Sequence, residues 1–116
     1  MDTLNTLKTS LALYASLGAK CQAYAAFDDV QHTYAVNVID FAAEDPYERV
    51  GVVIFARVVE EQIIIESDLT DKPLYLKLVQ AGIPRQQIHL IYAGEPYPPN
   101  AQPVGVDGLE PEALPA

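Results

Sequence analysis

The spacing of apolar residues changes along this chain, and each change marks a different element. In TLNTLKTSLALYASLGAK, residues Leu4, Leu7, Leu11 and Tyr14 recur at helical spacing, and Leu13 and Leu17 widen the stripe. Asp2 or Thr3 suits the helix start, and Gly18 with Lys20 suits its stop. The period then shortens to that of strands. CQAYAAF is a weak strand candidate, DDVQ reads as a turn, and TYAVNVIDF is β-branched and aromatic. AAEDP interrupts it through Pro46 and two acids. YERVGVVIFARVV carries the strongest strand pattern. One face holds Val50, Val52, Ile54, Ala56 and Val58, and the other holds Val53, Phe55 and Val59 with Gly51 and Arg57 between them. A strand apolar on both faces belongs in the middle of a sheet and is covered twice.

A hairpin is expected next, turning at Glu60 and Glu61 without glycine or asparagine, followed by the strand IIIES. SDLTDKP reads as a helix start, with Thr70 or Asp71 as cap and Pro73 in the first turn. LYLKLVQA supplies the second helix. Gly82 suits the left-handed residue after it, Ile83 can fold back onto the helix end, and Pro84 prevents the helix from resuming. IHLIY then returns to the sheet. Strand, helix and strand over this distance form a crossover, so IIIES and IHLIY should run parallel. The fold class expected is α+β: a mostly antiparallel sheet of about five strands, with an N-terminal helix and a crossover helix before the last strand.

Composition changes the picture at the C-terminus. Residues 95–116 hold six of the nine prolines and no basic residue. They read as an extended or disordered acidic tail behind a folded domain over residues 1–94. Half of the 116 residues are apolar, enough for one domain with its own core. No apolar run approaches the length of a membrane span, and the N-terminus lacks the basic and apolar regions of a signal peptide. With the single cysteine, Cys21, this predicts a cytoplasmic protein with no membrane association.

The formal net charge is −9, and no basic residue follows Arg85. That pattern does not suit phosphate-backbone binding, so no direct nucleic-acid contact is expected. Candidate chemistry is sparse. His32 and His89 fall in separate segments with no cysteine at metal-ligand spacing. No phosphate loop, dinucleotide fingerprint or zinc motif occurs. Glu66 and Asp68 form the best carboxylate pair for a cation, which gives the alternative reading of a small metal-dependent hydrolase. The main reading is no enzyme and no cofactor. A doubly apolar central strand with only two helices to cover it points to protein contacts. The candidate interface is Val53, Phe55, Arg57 and Tyr92, serving a homo-oligomer or another polypeptide.

The order of several short segments resembles the XisI family, the fdxN element excision controlling factors found mainly in filamentous cyanobacteria. LALYASL, FDDVQHTYAV, ERVGVVIFARV, QIIIESDLT and LVQAGIPRQQIHL each match a family pattern, in sequence and with the right spacing, from about Leu4 to Gly94. The matching positions include Tyr34, Arg49, Asp68, Thr70, Gly82, Ile83 and Pro84. The chain departs from the family in having Ile64 at a tryptophan position, Glu60 and Glu61 at the hairpin glycine, Gln87 for an acid, and a Pro-rich acidic ending. The resemblance implies a small α+β regulatory protein without catalytic residues. It would act beside XisH, an endonuclease-like companion, to control site-specific DNA recombination that excises an element.

Overall fold

The computed structural model describes residues 2–15 and 20–103. Within these residues five strands form one sheet in sequence order: β1 (Cys21–Asp28), β2 (Thr33–Asp40), β3 (Val50–Val59), β4 (Gln62–Asp68) and β5 (Ile88–Leu90). The first four pair antiparallel as a meander, and β5 adds parallel to β4 through the crossover, as the sequence predicts. Among the described residues three α-helices accompany them: α1 (Thr3–Ala12), the single turn α2 (Pro46–Arg49) and α3 (Leu74–Gln80).

Helices α1 and α3 touch each other and lie on the same side of the sheet. Beneath them Leu7 and Leu11 of α1 and Leu74 and Leu78 of α3 close over Tyr34, Val36, Ile54, Ala56, Ile63, Ile65, Ile88 and Leu90. These sheet residues alternate along their strands, as burial of one face requires. Asp2 caps α1 by accepting the Asn5 N–H at 3.2 Å. The helix ends at Ala12, earlier than the stripe suggests, and Leu13 is exposed. The expected stop at Gly18, and Leu17, lie outside the described residues. Tyr14 continues the stripe in another way, donating its hydroxyl hydrogen to the Lys72 carbonyl just before α3.

The central strand departs from simple alternation at two bulges. Val36 faces Ile54 but Asn37 faces Val52, so Val53 is an extra residue and packs on the helix side. The same slip leaves Val50 and Val52 exposed, against the expectation of a single buried row from Val50 to Val58. A second slip, between Phe55 and Ala56, makes Glu66 the extra residue on β4. The β3–β4 hairpin closes with Val59 opposite Gln62, so its loop is Glu60 and Glu61 alone. Both have positive φ, 50° and 67°, the signature of the primed turn that matches strand twist but favours asparagine and glycine.

Helix α3 begins differently from the sequence reading. Neither Thr70 nor Asp71 caps it. Asp68, at the end of β4, accepts the Leu74 N–H through Oδ2 at 2.7 Å, and through Oδ1 the Thr70 N–H at 2.9 Å and the Thr70 hydroxyl at 2.6 Å. A carboxylate can reach over six residues because Pro73 fixes the approach and offers no competing N–H. The far end follows the prediction. The Ile83 N–H bonds the Leu78 carbonyl and the Gly82 N–H bonds the Val79 carbonyl, each at 3.0 Å, with Gly82 at φ 106° and Ile83 buried. This is a Schellman cap, and it directs the chain through a 3-10 turn at Arg85–Gln87 into β5.

Candidate interaction surface

The sheet side away from α1 and α3 divides in two. Over β3, β4 and β5 it is covered by the chain's own residues 95–103, which composition alone reads as loose tail. Arg57 binds Glu66, with its Nε 3.0 Å and its terminal nitrogen 2.9 Å from Glu66 Oε2, and donates to the Ala101 carbonyl at 2.5 Å. The Tyr97 hydroxyl donates to the other Glu66 oxygen at 2.6 Å, and the Tyr97 ring lies 5.7 Å from the Arg57 guanidinium. That hydrogen bond to a carboxylate, then burial, raises the Tyr97 pKa. Ala101 and Ile64, on β4, are buried. The start of this stretch is anchored at Glu95. Its carboxylate pairs with Arg85 at 2.5 Å and accepts the Leu90 N–H at 2.8 Å, which together hold its pKa below the ordinary value. Residues 104–116 lie outside the described part of the chain.

Over β1, β2 and the first half of β3 the same side is uncovered among the described residues. Cross-strand register sets Tyr24 beside Asn37 beside Val52, Ala26 beside Ala35 beside Phe55, and Gln22 beside Ile39 beside Val50. Tyr24 is 50% exposed and Val52 47%. Phe41 and Tyr47, in the connection to β3, are exposed as well. A mainly apolar strip, interrupted by Gln22 and Asn37 and with a polar end, has the make-up of a contact surface. That end carries Asp40, Glu44, Asp45 and Glu48 against Lys20 and Arg49, so its balance is acidic.

The four expected interface residues do not form one patch. Phe55 belongs to the strip. Val53 is packed into the helix-side core through the bulge, and Arg57 is engaged with Glu66 and Ala101. Tyr92 stands in the 3-10 turn after β5, its hydroxyl pKa raised first by burial and then by Asp68. The strip's other members were hidden in the sequence because β1 carries a weak strand signal, and cross-strand neighbours cannot be read without register.

The residues matching family motifs fall mainly around the crossover. Asp68 and Thr70 start α3, while Gly82, Ile83 and Pro84 end it. Tyr34 is fully buried and donates to Asp29 Oδ1 at 2.9 Å; burial first, then that carboxylate, pushes its pKa up to about 12. Asp29 also holds Lys8 at 2.7 Å, tying α1 to the β1–β2 turn and keeping the carboxyl below its ordinary pKa. Arg49 ends α2 and is exposed.

The carboxylates of the alternative reading go to separate tasks, Glu66 to Arg57 and Tyr97, Asp68 to the α3 start. Among the described residues no three His, Cys, Asp or Glu side chains gather as a metal site. His89 meets Gln62 at 2.8 Å. A shallow cleft of about 310 Å³ beside α3, lined by Asp71, Lys72, Leu76 and Lys77, includes neither Glu66 nor Asp68. Among the described residues no helix is long and apolar enough to cross a membrane.

Comparison with known proteins agrees with the sequence resemblance. None of the curated proteins matches the chain. Solved structures share the fold, two of them from one organism. An XisI-like protein from Anabaena variabilis superposes with a TM-score of 0.64 at 21% identity, over 75% of this chain and 81% of that one. The fdxN element excision controlling factor XisI from the same organism gives a TM-score of 0.54 at 18% identity, over 77% and 91%. The sequence profile described as XisI protein matches residues 2–97, from the cap of α1 to the tyrosine that bonds Glu66, and the chain therefore belongs to the XisI family.

Proposed function

We propose that this protein is a non-catalytic regulator in the control of DNA-element excision, working in the cytoplasm through a contact with an XisH-like, endonuclease-like protein rather than with DNA itself. The observation that carries the reading is the apolar strip with Tyr24, Ala26, Val50 and Val52 exposed and Ile39 and Phe55 half-buried beside them, on the side of the sheet away from α1 and α3. Family membership supports the excision-control setting. The net charge of −9 favours a basic partner surface, because opposite fields speed encounter and penalise wrong partners.

The test is calorimetry with an XisH-like protein. Binding should be saturable, should weaken as salt rises, and should fall by about tenfold or more when Val52→Asp places a charge in the strip. Val52 is already exposed, so the variant keeps its fold, which circular dichroism checks. No binding, or full-strength binding by Val52→Asp, would overturn the proposal.

A further inference from the structure

The two edges of the sheet are finished in opposite ways. At one edge β5 has three residues only and passes straight into a 3-10 turn. Its Leu90 N–H is occupied by Glu95, and Gln87 donates from just before it to the Glu61 carbonyl at 3.0 Å. At the other edge β1 runs for eight residues in unbroken register with β2, from Cys21 opposite Asp40 to Asp28 opposite Thr33. No described segment lies beyond it. Edge strands are normally guarded by proline, by lysine, by a bulge or by being short. β1 has none of these: its sequence is CQAYAAFD, with Tyr24 and Phe27 exposed along it.

The charges flanking β1 show what fits there. Lys20 precedes the strand and Asp28 closes it, fixed in place because its Oδ1 accepts the Val30 and Gln31 N–H groups at 2.9 and 3.0 Å. A strand positive at its start and negative at its end complements itself when reversed. We infer that β1 pairs antiparallel with β1 of a second copy, extending two five-stranded sheets into one of ten strands.

Geometry narrows the register. A two-fold axis perpendicular to the sheet keeps the helices of both copies on one side, so facing residues must share a face and their numbers must sum to an even value. With Tyr24 on the axis, Lys20 meets Asp28 of the partner copy twice, Gln22 meets Ala26, and Cys21 meets Phe27. Moving the axis to Ala25 or Ala23 loses both charge pairs, and the move to Ala23 also shortens the overlap. The dimer also joins the two apolar strips into one surface, since Tyr24 lies in each. The inference does not depend on the proposed XisH-like partner, because it rests on the free edge of β1 and its flanking charges and is tested on this chain alone.

The full chain tests it without any ligand. Sedimentation at tens of micromolar should show a dimer, and Lys20→Glu should weaken it by about tenfold in low salt. Cysteine placed at the axis reads the register directly. Directly opposed antiparallel residues stand about 4.5–5.5 Å apart at Cα, within disulfide reach. Cys21→Ser with Tyr24→Cys should therefore oxidise to a covalent dimer, while Cys21→Ser with Gln22→Cys should not. A monomer at every concentration, including one whose β1 is covered by its own C-terminal residues, would overturn the inference. So would a dimer that ignores Lys20→Glu and fails to cross-link at position 24.

Discussion

The half of the sheet built around the crossover and the half built from the β1–β2 hairpin differ in how much holds them. In the crossover half, side chains fix the backbone at each corner. Asp68 starts α3, Gly82 and Ile83 stop it, Glu95 pins the end of β5, and Arg57 with Glu66 and Tyr97 fastens residues 95–103 over the sheet. The hairpin half has regular strand pairing and one covered face, with Lys8 and Asp29 as its tie to α1. Its other face and its edge are left open among the described residues. The difference teaches where this molecule spends its polar contacts: on completing itself at one end, leaving apolar surface for other molecules at the opposite end.

The largest expected contrast comes from truncating one side chain in each half. Leu78 is fully buried between α3 and the sheet. Leu78→Ala should cost about 2–5 kcal/mol, transfer plus cavity. Val50→Ala, at 61% exposure in the open strip, should change the stability of the subunit by no more than about 0.5 kcal/mol. Urea unfolding of the two variants measures both. A Val50→Ala loss as large as that of Leu78→Ala would mean the strip is covered within the subunit, and the contrast between the halves would collapse.

A smaller effect separates the corners. Asp68→Ala would leave the Leu74 and Thr70 N–H groups without their acceptor in a partly buried setting, for about 1–3 kcal/mol. Asp45→Ala, which removes the 2.9 Å cap of the exposed one-turn α2, should cost nearer to about 0.5 kcal/mol. If the two losses in urea midpoint are equal, the crossover corner is no more tightly specified than the loop before β3.

These corners also show what could be read from the sequence and what could not. The Schellman cap was legible at Gly82, Ile83 and Pro84 because its signals are local: a residue free to adopt positive φ, an apolar contact, and a helix breaker in consecutive places. The cap at the other end of α3 was misread because its acceptor, Asp68, sits six residues before the N–H it binds, while Thr70 and Asp71 stand where a local rule looks. Strand β3 was placed centrally by its two apolar faces, yet its bulges, and with them the side taken by Val53, depend on pairing with β2 and β4. For the candidate surface the limit was sharper. Phe55 was found from β3 alone, but Tyr24 and Ala26 enter only through a strand of alanines whose apolar pattern is weak. The packing of residues 95–103 was invisible for a related reason. Prolines signal an unpaired backbone, and this stretch is held by side chains from elsewhere.

The turn between β3 and β4 offers the one stabilising change. Glu60 and Glu61 occupy left-handed backbone, at φ 50° and 67°, without a glycine or asparagine to ease it. Two adjacent like charges add repulsion at the tip. Glu60→Asn with Glu61→Gly supplies the residues a primed two-residue turn favours and should raise stability by about 1 kcal/mol. The pairing of Val59 with Gln62 fixes the loop at two residues, so the gain should come with no shift in strand register. Gln87, which donates to the Glu61 carbonyl, keeps its acceptor because the bond is to backbone. Urea unfolding gives the magnitude, and amide exchange places it. Protection should rise in β3 and β4 while β1 exchanges as before. A rise that spreads into β1 would show that the hairpin half and the crossover half unfold together, and that their difference is one of surface rather than of stability.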